Sequence, residues 1–147
     1  MKYKLTLLIF FFTSIIVNAQ NPNAIIGKWL AYPKKNVIID VFRDHDEFKG
    51  KLIWFNDNDD KTKPMNVRLD EKNPDPKLRS RKVIGLEVLN HLYYNPKNRR
   101  WENGKIYDAK SGRTWDTSAF ITKDSTLEVR GFWHWEIIGE NMKFKRV

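Results

Sequence analysis

The 147-residue sequence contains no cysteine, so no disulfide can staple the fold and no thiolate can serve as nucleophile or metal ligand. Histidine is almost as scarce: His45, His91 and His134 lie far apart without ligand spacing, which removes the usual zinc and transition-metal sets. There is no Gly-x-Ser-x-Gly elbow, no glycine-rich phosphate loop and no His-Glu-x-x-His. No cofactor and no metal is therefore expected, and the chain reads as a binding protein before it reads as an enzyme.

Long apolar runs are also missing, with one exception at the start. Lys2 and Lys4 precede a mainly apolar stretch from Leu5 to Val17, which closes on Val17-Asn18-Ala19. That three-part layout predicts a cleavable signal peptide over residues 1–19, cut before Gln20. An uncleaved anchor is the alternative, but the run is several residues short of the about 20 that a spanning helix needs. The expected product is an exported protein, periplasmic or secreted. Without an N-terminal cysteine it carries no lipid tether.

Removing residues 1–19 takes two lysines from the 27 Lys and Arg and none of the 18 Asp and Glu, leaving a formal charge of +7. The remaining residues, 20–147, suit one domain with one core. All six tryptophans fall in this part, as expected of a chain that must fill its interior without disulfides. The basic charge admits two partners: a small amphipathic or anionic ligand, or the anionic surface of a membrane or envelope polymer. Nucleic acid would match charge and aromatics, but export makes it a poor partner, and a monomer is expected.

The dominant pattern is short β-branched and aromatic runs broken by Asn, Asp, Gly and Pro. Eight strands are predicted, near 25–32, 37–43, 48–55, 84–94, 99–108, 113–121, 126–135 and 137–146. Most links are hairpin-sized, which forces sequential antiparallel neighbours. The fold class is therefore all-β, a single up-and-down barrel of about eight strands that leaves no open edge; a two-sheet sandwich is the alternative.

One link, 56–83, is too long for a hairpin, and loops of that length in a compact domain are usually functional or disordered. Its run Asn56-Asp57-Asn58-Asp59-Asp60 invites a calcium reading, yet Lys61 falls at a ligand position, no glycine follows and no Glu closes the ring. A solvated acidic turn fits better. Further on, Asn73-Pro74-Asp75-Pro76 offers consecutive turns that present Arg79 and Arg81. On an extended segment those two arginines would form a two-pronged anion site; alternatively they pair with Asp75, Asp108 or backbone carbonyls and pin the loop over the barrel, the reading we favour.

In Arg130-Gly131-Phe132-Trp133-His134-Trp135, alternation sets Val129, Trp133 and Trp135 on one side and Arg130, Phe132 and His134 on the other. Either Trp133 and Trp135 fill the barrel, or the lumen keeps a slot lined by Trp54, Trp101, Tyr107 and Trp133 with Arg130 as polar anchor. The candidate ligand-binding set is thus Trp54, Asn73, Asp75, Arg79, Arg81, Trp101, Tyr107, Asp108, Arg130 and Trp133. Carboxylate pairs could be drawn from Asp75, Glu102 and Asp108, so a hydrolase using Asp75 or Asp108 is the enzymatic alternative, and no residue is singled out as catalytic.

The string Asn73-Pro74-Asp75-Pro76-Lys77-Leu78-Arg79-Ser80-Arg81 with Gly85-Leu86, then Trp101-Glu102-Asn103-Gly104-Lys105-Ile106-Tyr107-Asp108 with Ser111-Gly112, then Leu127-Glu128-Val129-Arg130-Gly131, resembles an exported bacterial family known as domain of unknown function 2147. The resemblance implies a lipocalin-like barrel outside the cytoplasm and no reaction, since that family has no established activity to carry over. Lys82, Ala109 and Met142-Lys143-Phe144 depart from its pattern, the last bearing on how the final strand packs. Independently, Gly27-Lys28-Trp29 resembles the Gly-x-Trp opening of calycin barrels, with Arg146 placed to stack on Trp29 for about 1 kcal/mol.

Overall fold

The computed structural model describes residues 21–132 and 139–147. The predicted leader and the segment 133–138, which holds Trp133 and Trp135, lie outside the described residues.

Eight antiparallel strands close into a barrel in chain order: β1 (Gly27–Tyr32), β2 (Val37–Asp44), β3 (Glu47–Phe55), β4 (Glu87–Asn95), β5 (Arg100–Asp108), β6 (Arg113–Ile121), β7 (Leu127–Phe132) and β8 (Gly139–Arg146). The β1–β8 pairing, from Trp29 opposite Arg146 to Tyr32 opposite Lys143, shuts the sheet on itself. Each predicted strand is present, with ends shifted by up to three residues within the described chain. The closing strand forms despite its departures from the family pattern, because Phe144 buries its ring in the core.

Alternation dictates what fills the interior. Trp29, Val41, Phe48, Leu92, Trp101, Ala119, Leu127, Val129 and Phe144 point inward and pack into the main core. Space for them comes partly from Gly50 and Gly104: a Cβ on Gly104 would stand 2.6 Å from Leu92 Cδ1 and 2.7 Å from Thr117 Cγ2. This core fills one end of the barrel.

That end is sealed by a short 3-10 turn, Pro22–Ile25, started by Asn21, whose side chain accepts the Asn23 N–H. Trp29 Nε1 donates to Ile25 O at 2.7 Å and Trp101 Nε1 to Pro22 O at 3.1 Å. Arg146 lies 4.3 Å from the Trp29 ring centroid and donates to Ile26 O and Ala24 O. Gly27 permits this approach, since a Cβ there would meet Arg146 Nη1 at 2.5 Å. The stacking anticipated for Arg146 is thus present, reinforced by two hydrogen bonds to backbone.

Candidate functional site at the open mouth

The links between β1 and β2, β3 and β4, and β5 and β6 gather at the opposite end. There the interior is hollow, with a cavity of about 1130 Å³. Leu52, Val88 and Phe144 are its most buried lining, Val37, Ile39, Phe55, Ile106 and Trp115 form walls, and Asn36, Asp59, Lys63, Arg68, Lys72 and Lys110 stand at the rim. Gly131 also faces this space, and a Cβ there would meet nothing closer than 3.9 Å. An apolar floor below a polar rim is the usual composition of a small-molecule site, and its volume lies just above the usual range of such sites, about 300–1000 Å³.

The long β3–β4 link is a strap across this mouth, held by two charged knots. In the first, Arg68 Nη2 pairs with Asp59 Oδ1 at 2.7 Å, its Nε donates to Lys63 O, and further bonds reach Asp57 O and Asp60 O. The acidic run weighed above for calcium is therefore a collar around an arginine. That arginine also lies over Phe55, 5.5 Å from the ring centroid, and holds the Asp59 carboxyl below the usual carboxylate range.

The second knot is the more buried. Asp70 has no solvent exposure, and its carboxylate accepts from Tyr107 Oη, from Asn73 Nδ2 at 2.8 Å and from both Nε and Nη2 of Arg81 at 3.0 and 2.9 Å. Its own N–H donates to Arg81 O, and Asn73 N–H returns to Asp70 O. Burial, then the hydrogen bond to the Asp70 carboxylate and its charge, push the Tyr107 hydroxyl up to about 12 from 10.0. The neutral phenol is thus favoured by folding, a contribution present below pH 10 and lost as pH rises towards 12. Tyr107→Phe should flatten that segment of the melting temperature against pH curve, and a 295 nm titration should lose its latest-ionising tyrosine.

Asn73, Asp75, Arg79, Arg81, Tyr107 and Asp108 are therefore brought together around the strap. Asp75 accepts the Lys77 N–H and starts the 3-10 turn Pro76–Leu78, Arg79 Nε donates to Asn73 O, and Asp108 holds the β5–β6 turn through Lys110 N–H and the Ser111 hydroxyl. Because Arg79 is helical (φ −68, ψ −19), the extended geometry needed for a two-pronged anion site is absent. The arginines pin the loop instead, Arg81 through Asp70 and not through Asp75 or Asp108. Gly112 seats the strap against this turn: its φ is +74, and a Cβ would fall 2.0 Å from Lys72 O. Of the nine candidates among the described residues, Tyr107 and Asp108 line the cavity and the other seven do not.

Three others lie elsewhere. The register slips between Ile38 and Ile39, which leaves Ile53 as an extra residue and turns Trp54 outward while Phe55 takes the inward place. Trp101 faces inward but at the sealed end, packed edge-on to Phe48 and against Tyr94. Arg130 alternates with inward Val129 and reaches Asn141 on the outer face. Trp133 lies outside the described residues. Among the described residues, no group of three or more His, Asp or Glu is placed to hold a metal.

A strap-covered cavity in a sequentially wound eight-stranded barrel, plugged at the other end by a stacked Trp and Arg, defines a lipocalin-like protein. A solved structure resembling it is protein HP1028 from Helicobacter pylori, described as belonging to the lipocalin family, at 23% identity over 83% of this chain and 82% of that one, with a TM-score of 0.69. The sequence model of a family described as an uncharacterized protein conserved in bacteria, domain of unknown function 2147, matches residues 27–146, and the chain belongs to that family. No curated protein matches the chain.

Proposed function

We propose that this protein is an exported, non-enzymatic carrier that takes a small amphipathic molecule into the open end of its barrel. The carrying observation is the cavity of about 1130 Å³ with an apolar floor and a polar, strap-covered rim. Enough room exists for an acyl chain or a fused-ring skeleton, and the rim cations leave a polar or anionic head in contact with water. Export rests on the leader pattern, and N-terminal sequencing of the protein from the envelope fraction should begin at Gln20.

Gly131 supplies a direct test of the cavity. Gly131→Leu would project into the hollow, its Cβ meeting Ile106 Cγ2 and Trp115 Cβ at 3.9 Å, an ordinary contact distance. Wild-type protein should gain melting temperature with an envelope lipid extract and bind a fluorescent fatty-acid probe. The variant should melt no lower than wild type when empty and lose at least about tenfold in affinity, the equivalent of about 1.4 kcal/mol. Equal binding by both would show that the probe sits elsewhere.

A further inference from the structure

Exposed apolar side chains stand at both ends of this barrel, Ile26 and Val147 beside the plug and a larger group at the mouth. Tyr32, Val67, Leu69 and Leu78 are 48, 50, 41 and 39% exposed, and all four belong to the mouth end. Each has cations beside it in the chain: Tyr32-Pro33-Lys34-Lys35, Val67-Arg68-Leu69 and Lys77-Leu78-Arg79. The three described links at the mouth carry eleven Lys and Arg against six Asp and Glu, whereas the three links at the sealed end carry three against two. The acids at the mouth are largely taken up internally. Asp59 pairs with Arg68, Asp70 with Arg81 and Glu71 with Lys63, while Asp57 and Asp75 accept backbone N–H groups. By contrast, Lys34, Lys35, Lys72, Lys77 and Lys82 make no ion pair among the described residues, so their charge is left for something outside the chain.

Apolar side chains that would enter the acyl boundary, flanked by lysines at headgroup depth, are what an anionic bilayer surface selects. We infer that the mouth of the barrel is a docking face for an anionic phospholipid bilayer. The cavity then opens directly onto the lipid, and an amphipathic molecule can cross between bilayer and barrel without passing through water. An acidic protein or a soluble anionic polymer would use the lysines but leave Val67 and Leu78 without a partner. The inference builds on the carrier reading, and its test reads separately from that reading.

The full mature chain would be floated with phosphatidylcholine vesicles and with 3:1 phosphatidylcholine:phosphatidylglycerol vesicles, at low and at physiological salt. Binding should require phosphatidylglycerol and weaken with salt. Lys34→Glu with Lys35→Glu, and separately Lys77→Glu with Lys82→Glu, should each reduce the bound fraction about tenfold, whereas Lys97→Glu with Arg99→Glu at the sealed end should change it little. Val67→Ser with Leu78→Ser should reduce binding without altering charge. Equal losses from mouth and sealed-end reversals, no binding to either vesicle, or dextran sulfate binding that matches vesicle binding and ignores the serine variant would each overturn the proposal. Gly131→Leu separates the two ideas: vesicle binding retained with probe binding lost supports docking, while loss of vesicle binding in that variant places the lipid contact inside the cavity and overturns docking by the rim.

Discussion

Trp29→Ala should cost the barrel about 3–5 kcal/mol, among the largest losses any single substitution here can cause. The indole is 1% exposed, and its removal opens a void at the sealed end. It also takes away the donor to Ile25 O and the surface on which Arg146 stacks, so the 3-10 turn and the last strand lose their common anchor. Urea unfolding followed by circular dichroism would show the midpoint falling with little change in slope, because the surface exposed on unfolding is nearly the same. Arg146→Ala should reproduce only a fraction of this loss, since the cation–π contact contributes about 1 kcal/mol. A Trp29→Ala protein as stable as wild type would mean that the sealed end is not where the fold is held.

Asp70→Ala should act locally. Three partners lose their acceptor at once, and although Arg81 can rehydrate through its exposed edge, Tyr107 and Asn73 are left part-buried without it. Breaking such a cluster is worth about 3 kcal/mol, equivalent to about a hundredfold more open strap. Limited trypsin digestion reads this opening, since cleavage within residues 56–86 follows the open population when reclosing is fast. The expected result is rapid cutting near Lys63, Arg68 and Lys72 with the barrel strands left intact. Asp70→Asn keeps an acceptor for Tyr107 and should open the strap less. Uniform digestion of the whole chain would show that the cluster supports the barrel and not the strap alone.

The barrel was legible in the sequence because a meander with short links leaves few arrangements, and the period-two pattern marks the inward set. It failed at Trp54, where one extra residue in β3 reverses the faces beyond it; the bulge has no mark in the local composition, since Leu52-Ile53-Trp54-Phe55 is apolar throughout. The site was less legible. Asn73, Arg81 and Tyr107 stood out by their type and setting, but Asp70 and Arg68, the residues that tie the strap, sit in a charged run where nothing distinguishes a buried carboxylate from a solvated one. The role of Asp70 arises from a contact 37 residues away, with Tyr107, and that of Arg68 from an irregular fold of the loop around it, neither of which a local pattern records. Only the length of the link signalled that it would need such ties.

The first described residue and the last both emerge beside the plug: Asn21 starts the turn that caps it, and the Val147 N–H donates to Lys28 O. A tether fixed at the C-terminus, whether an affinity tag or an immobilising bead, would therefore hold the barrel by its base and leave its aperture pointing away, so a surface-captured sample can still be loaded from the other side.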